Sequence, residues 1–386
     1  MPLRAGRKQT ACSDQGLLPD STASPQPTRN QPMYPLEDGS FAPRNQWYVA
    51  AWSQEIKRSP LERVILDNPV VLYRTTDGKV AALAAFCPHR GFPLAKGDVI
   101  ADDIECPYHG LRFGPDGACT LIPSQDVIPA ACRLRAYPVA ERWQWVWIWV
   151  GDPDLADEAL IPDHFEARLT DPAYRNAGGN YFEVPGRYVL LHDNLLDLNH
   201  VPYLHKATFG GDGGGAVQIP EVVAKETTIS CTFTQPAIDC PPFLSALFGY
   251  SGPVSRTYVS YFYAPCLHVI VDSISRLDPA TGVTEQLGDL LHIHAVTPAT
   301  ATTAHYFQGE GQNFSHTEPC LSEAFRSSEM VRAALEEDVS ATRFIEQSIA
   351  MNRGRLSEIL LKADKAAVLG RRMLQALIDA EAPATR

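Results

Sequence analysis

Two short segments, Cys87-Pro88-His89-Arg90-Gly91 and Cys106-Pro107-Tyr108-His109-Gly110, each pair one cysteine with one histidine, and sixteen residues separate His89 from Cys106. Two thiolates and two imidazoles are the ligand set of a Rieske [2Fe-2S] cluster, with Cys87 and Cys106 on one iron and His89 and His109 on the other. A chain built this way must fold so that the two segments meet. Imidazole leaves its iron less negative than thiolate would, which lifts the reduction potential to roughly −150 to +300 mV and suits a one-electron relay. A structural Cys2His2 zinc site uses the same atoms. Zinc fingers, however, group two cysteines in one knuckle and two histidines in another, whereas each segment here supplies one of each. Pro88 and Pro107 after the cysteines, and Gly91 and Gly110 after the histidines, predict two tight loops whose backbone approaches a cofactor.

The rest of the chain bounds what such a relay serves. With 386 residues and 45% apolar content, it can hold two domains with proper cores. A net charge of −12, with no cluster of Lys and Arg interleaved with aromatics, argues against a nucleic-acid partner. Beyond the two cluster cysteines, Cys12, Cys119, Cys132, Cys231, Cys240, Cys266 and Cys320 show no disulfide-framework spacing, which predicts a reducing, cytoplasmic setting. Met1 to Cys12 lacks the apolar stretch of a secretory signal, and the longest apolar run, Trp145 to Val150, is strand length, so no membrane segment is expected.

Residues 1–40, rich in Pro, Ser, Thr and Gln, read as a disordered arm. Residues 41–150 read as a small all-β domain carrying both ligand loops. Its strands fall at Trp47 to Ala51, Val70 to Tyr73, Val80 to Phe86 and Trp143 to Val150, and turns fall at Asp77-Gly78 and Pro115-Asp116-Gly117. Residues 151–386 read as an α+β domain with strands at Glu226 to Thr234, Thr257 to Tyr263 and Leu291 to Val296, and helical patterning from Leu321 to Glu381. The glycine run Gly210 to Gly215 precedes no phosphate-loop Lys-Ser/Thr, and no flavin or nicotinamide fingerprint occurs elsewhere. Electrons must then arrive from another protein.

A second constellation lies at Asn194, Asp197, His200 and His205. Asp197 and His200 are neighbours on one helical face, and Pro202 is expected to break that helix and swing His205 back toward the same point. Two imidazoles and a carboxylate form the facial triad of non-haem Fe(II). The run Glu336-Glu337-Asp338 offers three carboxylates, and Asp338 alone falls on the mostly apolar stripe of Val331, Leu335, Thr342, Ile345 and Ile349. An acid facing a core is costly unless paired or metal-bound, which favours Asp338, with Glu337 the alternative. Three acids on a solvated helical face are the plain structural alternative.

These motifs resemble the terminal oxygenase α subunit of the Rieske non-haem iron oxygenases, most closely the group of vanillate O-demethylase, dicamba O-demethylase and toluenesulfonate methyl-monooxygenase. The resemblance covers about residues 41–380. It implies an all-β Rieske domain followed by a catalytic domain of helix-grip type, with an antiparallel sheet and helices. It also implies a [2Fe-2S] cluster, a mononuclear Fe(II), NAD(P)H electrons delivered by a flavin or ferredoxin-type reductase, a homotrimer, and O2 with a small aromatic acid as substrates. Asp197 would link a neighbouring subunit's cluster histidine to the mononuclear site, and Asn194 would sit beside the iron. His292 and His294, alternating onto one strand face within a pocket drawn from residues 210–313, are candidates to touch substrate, His294 foremost. Ordinary structural hydrogen bonding is the competing role. O-demethylation or methyl hydroxylation is the expected reaction. Ring dioxygenation or aryl-ether cleavage is the alternative within the class, and a catalytically inert Rieske carrier the alternative outside it. A carrier needs only the small β domain, which the roughly 230 residues beyond it argue against.

Overall fold

A computed structural model describes residues 40–208, 219–278, 280–316, 321–352 and 358–381; the expected arm at 1–40 and the glycine run at 210–215 fall outside the described residues, apart from Ser40. Among the described residues ten short strands come first: β1 (Trp47–Trp52), β2 (Leu61–Ile65), β3 (Asn68–Arg74), β4 (Val80–Ala84), β5 (Asp98–Ile100), β6 (Asp103–Glu105), β7 (Arg112–Phe113), β8 (Cys119–Leu121), β9 (Val139–Arg142) and β10 (Trp145–Trp149). They form three small antiparallel sheets, ordered β1-β10-β9, β2-β3-β4 and β5-β6-β7-β8. Seven strands follow, all but β12 of ten residues or more: β11 (Arg175–Val184), β12 (Glu221–Ala224), β13 (Thr228–Ile238), β14 (Val254–Tyr263), β15 (Leu267–Leu277), β16 (Thr284–Thr300) and β17 (Thr303–Gln312). They make one antiparallel sheet in the order β11-β17-β16-β15-β14-β13-β12. The helices α1 (Tyr188–Leu196), α2 (Val201–Leu204), α3 (Pro242–Phe248), α4 (Leu321–Arg326), α5 (Glu329–Met351) and α6 (Lys365–Glu381) complete the described residues' α+β architecture, joined by short 3-10 turns.

Two main cores divide the labour, beside a small third cluster of Leu244, Val254, Ile274 and Leu290. The smaller gathers Val71, Tyr73, Leu83, Leu94, Ile104 and Phe113 around Cys87 and Cys106. The larger is continuous from the tryptophans of β1 and β10 to the seven-stranded sheet and helices α1, α5 and α6. The run Trp145 to Trp149 is buried throughout: β1 and β9 flank it edge to edge in its sheet, and its side chains share one core with residues from the second half of the chain. Trp52 donates its Nε1–H to the Asn180 carbonyl at 3.0 Å. Thr297 Oγ1 donates to the Val49 carbonyl at 2.7 Å. A Cβ at Gly178 would lie 2.1 Å from the Trp52 ring, so only glycine lets β11 approach that closely.

α1 is buried nearly all round, with Tyr188, Val189, Leu190, Leu191, His192, Leu195 and Leu196 enclosed, as expected of a helix packed between a sheet and two other helices. Two bidentate ion pairs hold it. Arg187, at its start, donates to Glu346 of α5 through Nε and Nη2 at 2.7 Å each. Asp193, near its end, accepts from Arg371 of α6 at 2.7 to 3.1 Å. The buried stripe of α5 runs through Val331, Leu335, Asp338, Thr342, Glu346 and Ile349. Ile345, expected on that stripe, is instead 40% exposed. Glu346 takes the inward position because Arg187 neutralises it there.

Candidate metal centres and their cavity

The two Cys-His segments form matching loops at one end of the small core. Cys87 N–H donates to the Phe92 carbonyl at 2.9 Å and Gly91 N–H to the Cys87 carbonyl at 2.8 Å. In the second loop Cys106 N–H donates to Leu111 at 2.8 Å and Gly110 N–H to Cys106 at 2.9 Å. Both turns need a left-handed residue, supplied by Gly91 at φ 69° and Gly110 at φ 72°. This construction buries both thiols, leaves both histidines exposed, and sets the His89 and His109 rings 4.5 Å apart between centroids. Burial, reinforced by the adjacent Cys106 thiol, pushes Cys87 up to about 11. Buried facing thiols become thiolates only against a cationic metal, so the donor set suits a cluster held between the loops.

Beneath the large sheet, His200, His205 and Asp338 bring their ligand atoms within 4.8 Å of one another. The local chain path differs from the expected one. α1 ends at Leu196, and Asp197, with φ −121° and ψ 89°, breaks it; the Asp197 carboxylate then caps the next turn by accepting from Asn199 N–H at 3.0 Å. Pro202 lies in the first turn of α2, where no backbone donor is required, so it starts a helix rather than breaking one. The result is nonetheless convergent. His200 Nδ1 is 2.5 Å from the Asp197 carbonyl oxygen and His205 Nδ1 is 2.8 Å from Glu337 Oε2. With each Nδ1 tied to an acceptor, each Nε2 turns toward Asp338 Oδ1, at 3.7 Å from His200 and 3.2 Å from His205. Asn194 Nδ2 donates to the same Oδ1 at 2.9 Å.

Asp338 and Glu337 therefore occupy different places, one at the convergence point and one behind His205. Burial holds His200 below its ordinary pKa despite Asp338. Burial also opposes protonation of His205, but its hydrogen bonds to Asp338 and Glu337 outweigh that and raise it. Two imidazoles, each with its Nδ1 tied to an acceptor and its Nε2 turned to a common point, and one carboxylate are the donor set that ferrous iron takes. Glu337 also accepts from Thr208 Oγ1 at 3.1 Å. Glu337→Ala is expected to weaken iron binding roughly 10- to 100-fold, measured by chelator competition, because His205 loses the acceptor that orients its ring.

A cavity of about 780 Å³ opens over the triad. Its sheet wall is built by cross-strand register, which puts paired residues on one face: Phe233 and Gln235 of β13, Arg256 and Tyr258 of β14, Ile270 and Asp272 of β15, His292 and His294 of β16, and Gln308 and Glu310 of β17. His294 Nδ1 is 2.7 Å from the Tyr306 hydroxyl, while its Nε2 is buried without a partner, and burial lowers the ring's pKa to about 3. His292 lies 2.9 Å from Glu310, whose charge outweighs burial and raises it. The wall also carries a buried ion pair, Arg256 with Asp272, which residue patterning did not single out. Alternation over β14 and β15 marks 256 and 272 as sheet residues, but nothing local announces that they share a face. Among the described residues, no helix is long and apolar enough to cross a membrane.

Comparison with known proteins covers both halves of the chain. Residues 46–138 match the Rieske [2Fe-2S] domain and residues 184–380 the vanillate O-demethylase oxygenase C-terminal domain. The oxygenase component of dicamba O-demethylase from Stenotrophomonas maltophilia is 37% identical over 343 residues, covering 88% of this chain and 98% of that protein. The iron-sulfur subunit of the toluene-4-sulfonate monooxygenase system from Comamonas testosteroni is 34% identical, covering 88% and 97%. The crystal structure of dicamba monooxygenase bound to 3,6-dichlorosalicylic acid superposes with a TM-score of 0.78 at 35% identity, covering 89% of this chain and 99% of that one.

Proposed function

The chain belongs to the Rieske non-haem iron oxygenases, in the group of the vanillate O-demethylase oxygenases, and on that premise we propose that it oxidises the methyl group of a small methoxylated or methylated aromatic acid. It is an oxygenase component that uses a [2Fe-2S] cluster and a mononuclear iron and receives electrons from a separate reductase. The observation that carries the proposal is the convergence of His200, His205 and Asp338 at the floor of a cavity large enough for a substituted ring. In this reading Cys87, His89, Cys106 and His109 hold the cluster, and His200, His205 and Asp338 hold the iron.

When bound, the two centres supply electron relay and oxygen activation. The protein's own residues place the substrate and keep water away. Phe233, Ile270, Leu335 and Phe325 give the ring an apolar slot, which holds a methyl group against the triad by orientation alone. His294 Nε2, buried and unpartnered, is positioned to meet a polar substituent near the reacting carbon. Asn194 fixes Asp338 through its amide.

Domain limits at about 150, a cytoplasmic location and a homotrimer are part of the same reading. Exposed Tyr108 and Phe86 beside the cluster histidines, and exposed Tyr203 beside His200 and His205, supply apolar surfaces for a cluster of one protomer to approach the iron of the next through Asp197. The test is turnover of iron-loaded protein with a surrogate reductase and NADH across methoxylated and methylated aromatic acids. Formaldehyde released in step with loss of a methoxylated substrate is the expected result. A product carrying both atoms of labelled O2, without formaldehyde, would assign ring dioxygenation instead.

A further inference from the structure

Arg256 is 6% exposed and Asp272 is fully enclosed, yet both line the cavity. Asp272 accepts from Arg256 Nε at 3.2 Å and from Nη2 at 2.5 Å. The guanidinium also stacks between two rings, 4.6 Å from the centroid of Tyr258 and 5.6 Å from that of Phe243. It is thus held in one plane with Nε and Nη2 occupied, and among the described residues Nη1 meets no acceptor. A rigid guanidinium edge with donors facing a cavity fits a planar carboxylate, and because it is pre-ordered little conformational entropy is lost on binding.

Neighbouring charges do not forbid an incoming anion. Glu310 is met by His292 at 2.9 Å and by Gln308 at 2.6 Å. Gln235, directly opposite Arg256 in the register, adds a neutral amide. We propose that Arg256 is the anion anchor of this cavity, taking the carboxylate of an aromatic acid on its Nη1 edge and so directing the opposite pole of the ring to the triad. The inference rests on the oxygenase reading above and adds the orientation of the substrate to it.

The polarity follows from register. Asp272, which holds the guanidinium, faces Leu290 on β16, whereas His294, in the electrostatic reach of Asp338, lies four residues farther along that strand. At about 3.3 Å per residue this separates the two levels by roughly 13 Å. A para-methoxy acid holds its carboxylate and methyl group at opposite ends and so, of the methoxy isomers, reaches farthest across such a gap. An ortho-methoxy acid holds them side by side and does not.

The test measures calorimetric binding of 4-methoxybenzoate, 2-methoxybenzoate and neutral 4-methoxybenzamide to the cofactor-loaded enzyme. The wild type is expected to prefer 4-methoxybenzoate to both others. Arg256→Gln alone would strand a buried Asp272 charge, so the informative variant is Arg256→Gln/Asp272→Asn. It is expected to lose roughly 10- to 100-fold in affinity for 4-methoxybenzoate while the benzamide changes little. Arg256→Lys keeps the charge but not the planar edge, and an intermediate loss is expected from it. Equal weakening of acid and amide, no weakening of either, or tighter binding of the ortho acid would overturn the anchor. Wild-type enzyme that demethylates the benzamide without preferring the acid would overturn the anchor and leave the oxygenase reading standing. Binding of none of the three, with no formaldehyde from any aryl ether, would overturn both.

Discussion

His200→Ala is expected to abolish turnover while the visible spectrum of the cluster stays intact. The two metal groups belong to separate cores: Cys87 and Cys106 are enclosed with Leu94, Ile104 and Phe113, whereas the segment of His200 lies under the large sheet. Removing the imidazole deletes one of three donors and releases Asp338 from a neighbour 3.7 Å away. The loss should exceed the roughly 10- to 100-fold typical of groups that only support a metal ligand. Metal analysis should fall from about three iron atoms per protomer to about two. Loss of the cluster spectrum together with activity would mean that the sites are not independent.

Asp197→Asn is expected to retain both metals and the fold but to slow electron transfer from cluster to iron roughly 10- to 100-fold. The structural role of Asp197 is a cap, its Oδ1 accepting from the backbone and side chain of Asn199 at 3.0 Å each. Asparagine offers the same oxygen and is an equally good cap, so the local fold survives. What disappears is the negative charge that a neighbouring imidazole would use. Stopped-flow reoxidation of the reduced cluster, in the presence of substrate and O2, reads this directly. An unchanged rate would remove Asp197 from the electron path.

Much of the site was legible because its chemistry is written in adjacent residues. The C-x-H and C-x2-H segments, His200 with His205, and Asp338 on an apolar stripe all carry local signals, and the structure gathers each set at one point. Four of the ten strands in the first 150 residues, β1, β3, β4 and β10, were also readable from alternation and turn residues; the other strands, most of them only two to four residues long, were not. The turn at Asp197 was not. Nothing in a helical period says that a carboxylate will cap forward onto Asn199 and end the helix five residues before the proline. Ile345 was placed on the buried stripe where Glu346 sits for a similar reason: only Arg187, 159 positions from Glu346, makes an inward acid tolerable there. Arg256 with Asp272 shows the general limit, since which sheet residues share a face depends on strand order that composition does not encode.

The triad joins a short segment, 200–205, to a residue on α5 more than 130 positions later, and in the protein alone that junction rests on a few hydrogen bonds to Asp338 and Glu337. Iron bound there would act as a cross-link between two parts of the chain, so its binding free energy would also be stability, growing with the logarithm of free metal. Iron held there would thus help keep the catalytic half closed against local opening.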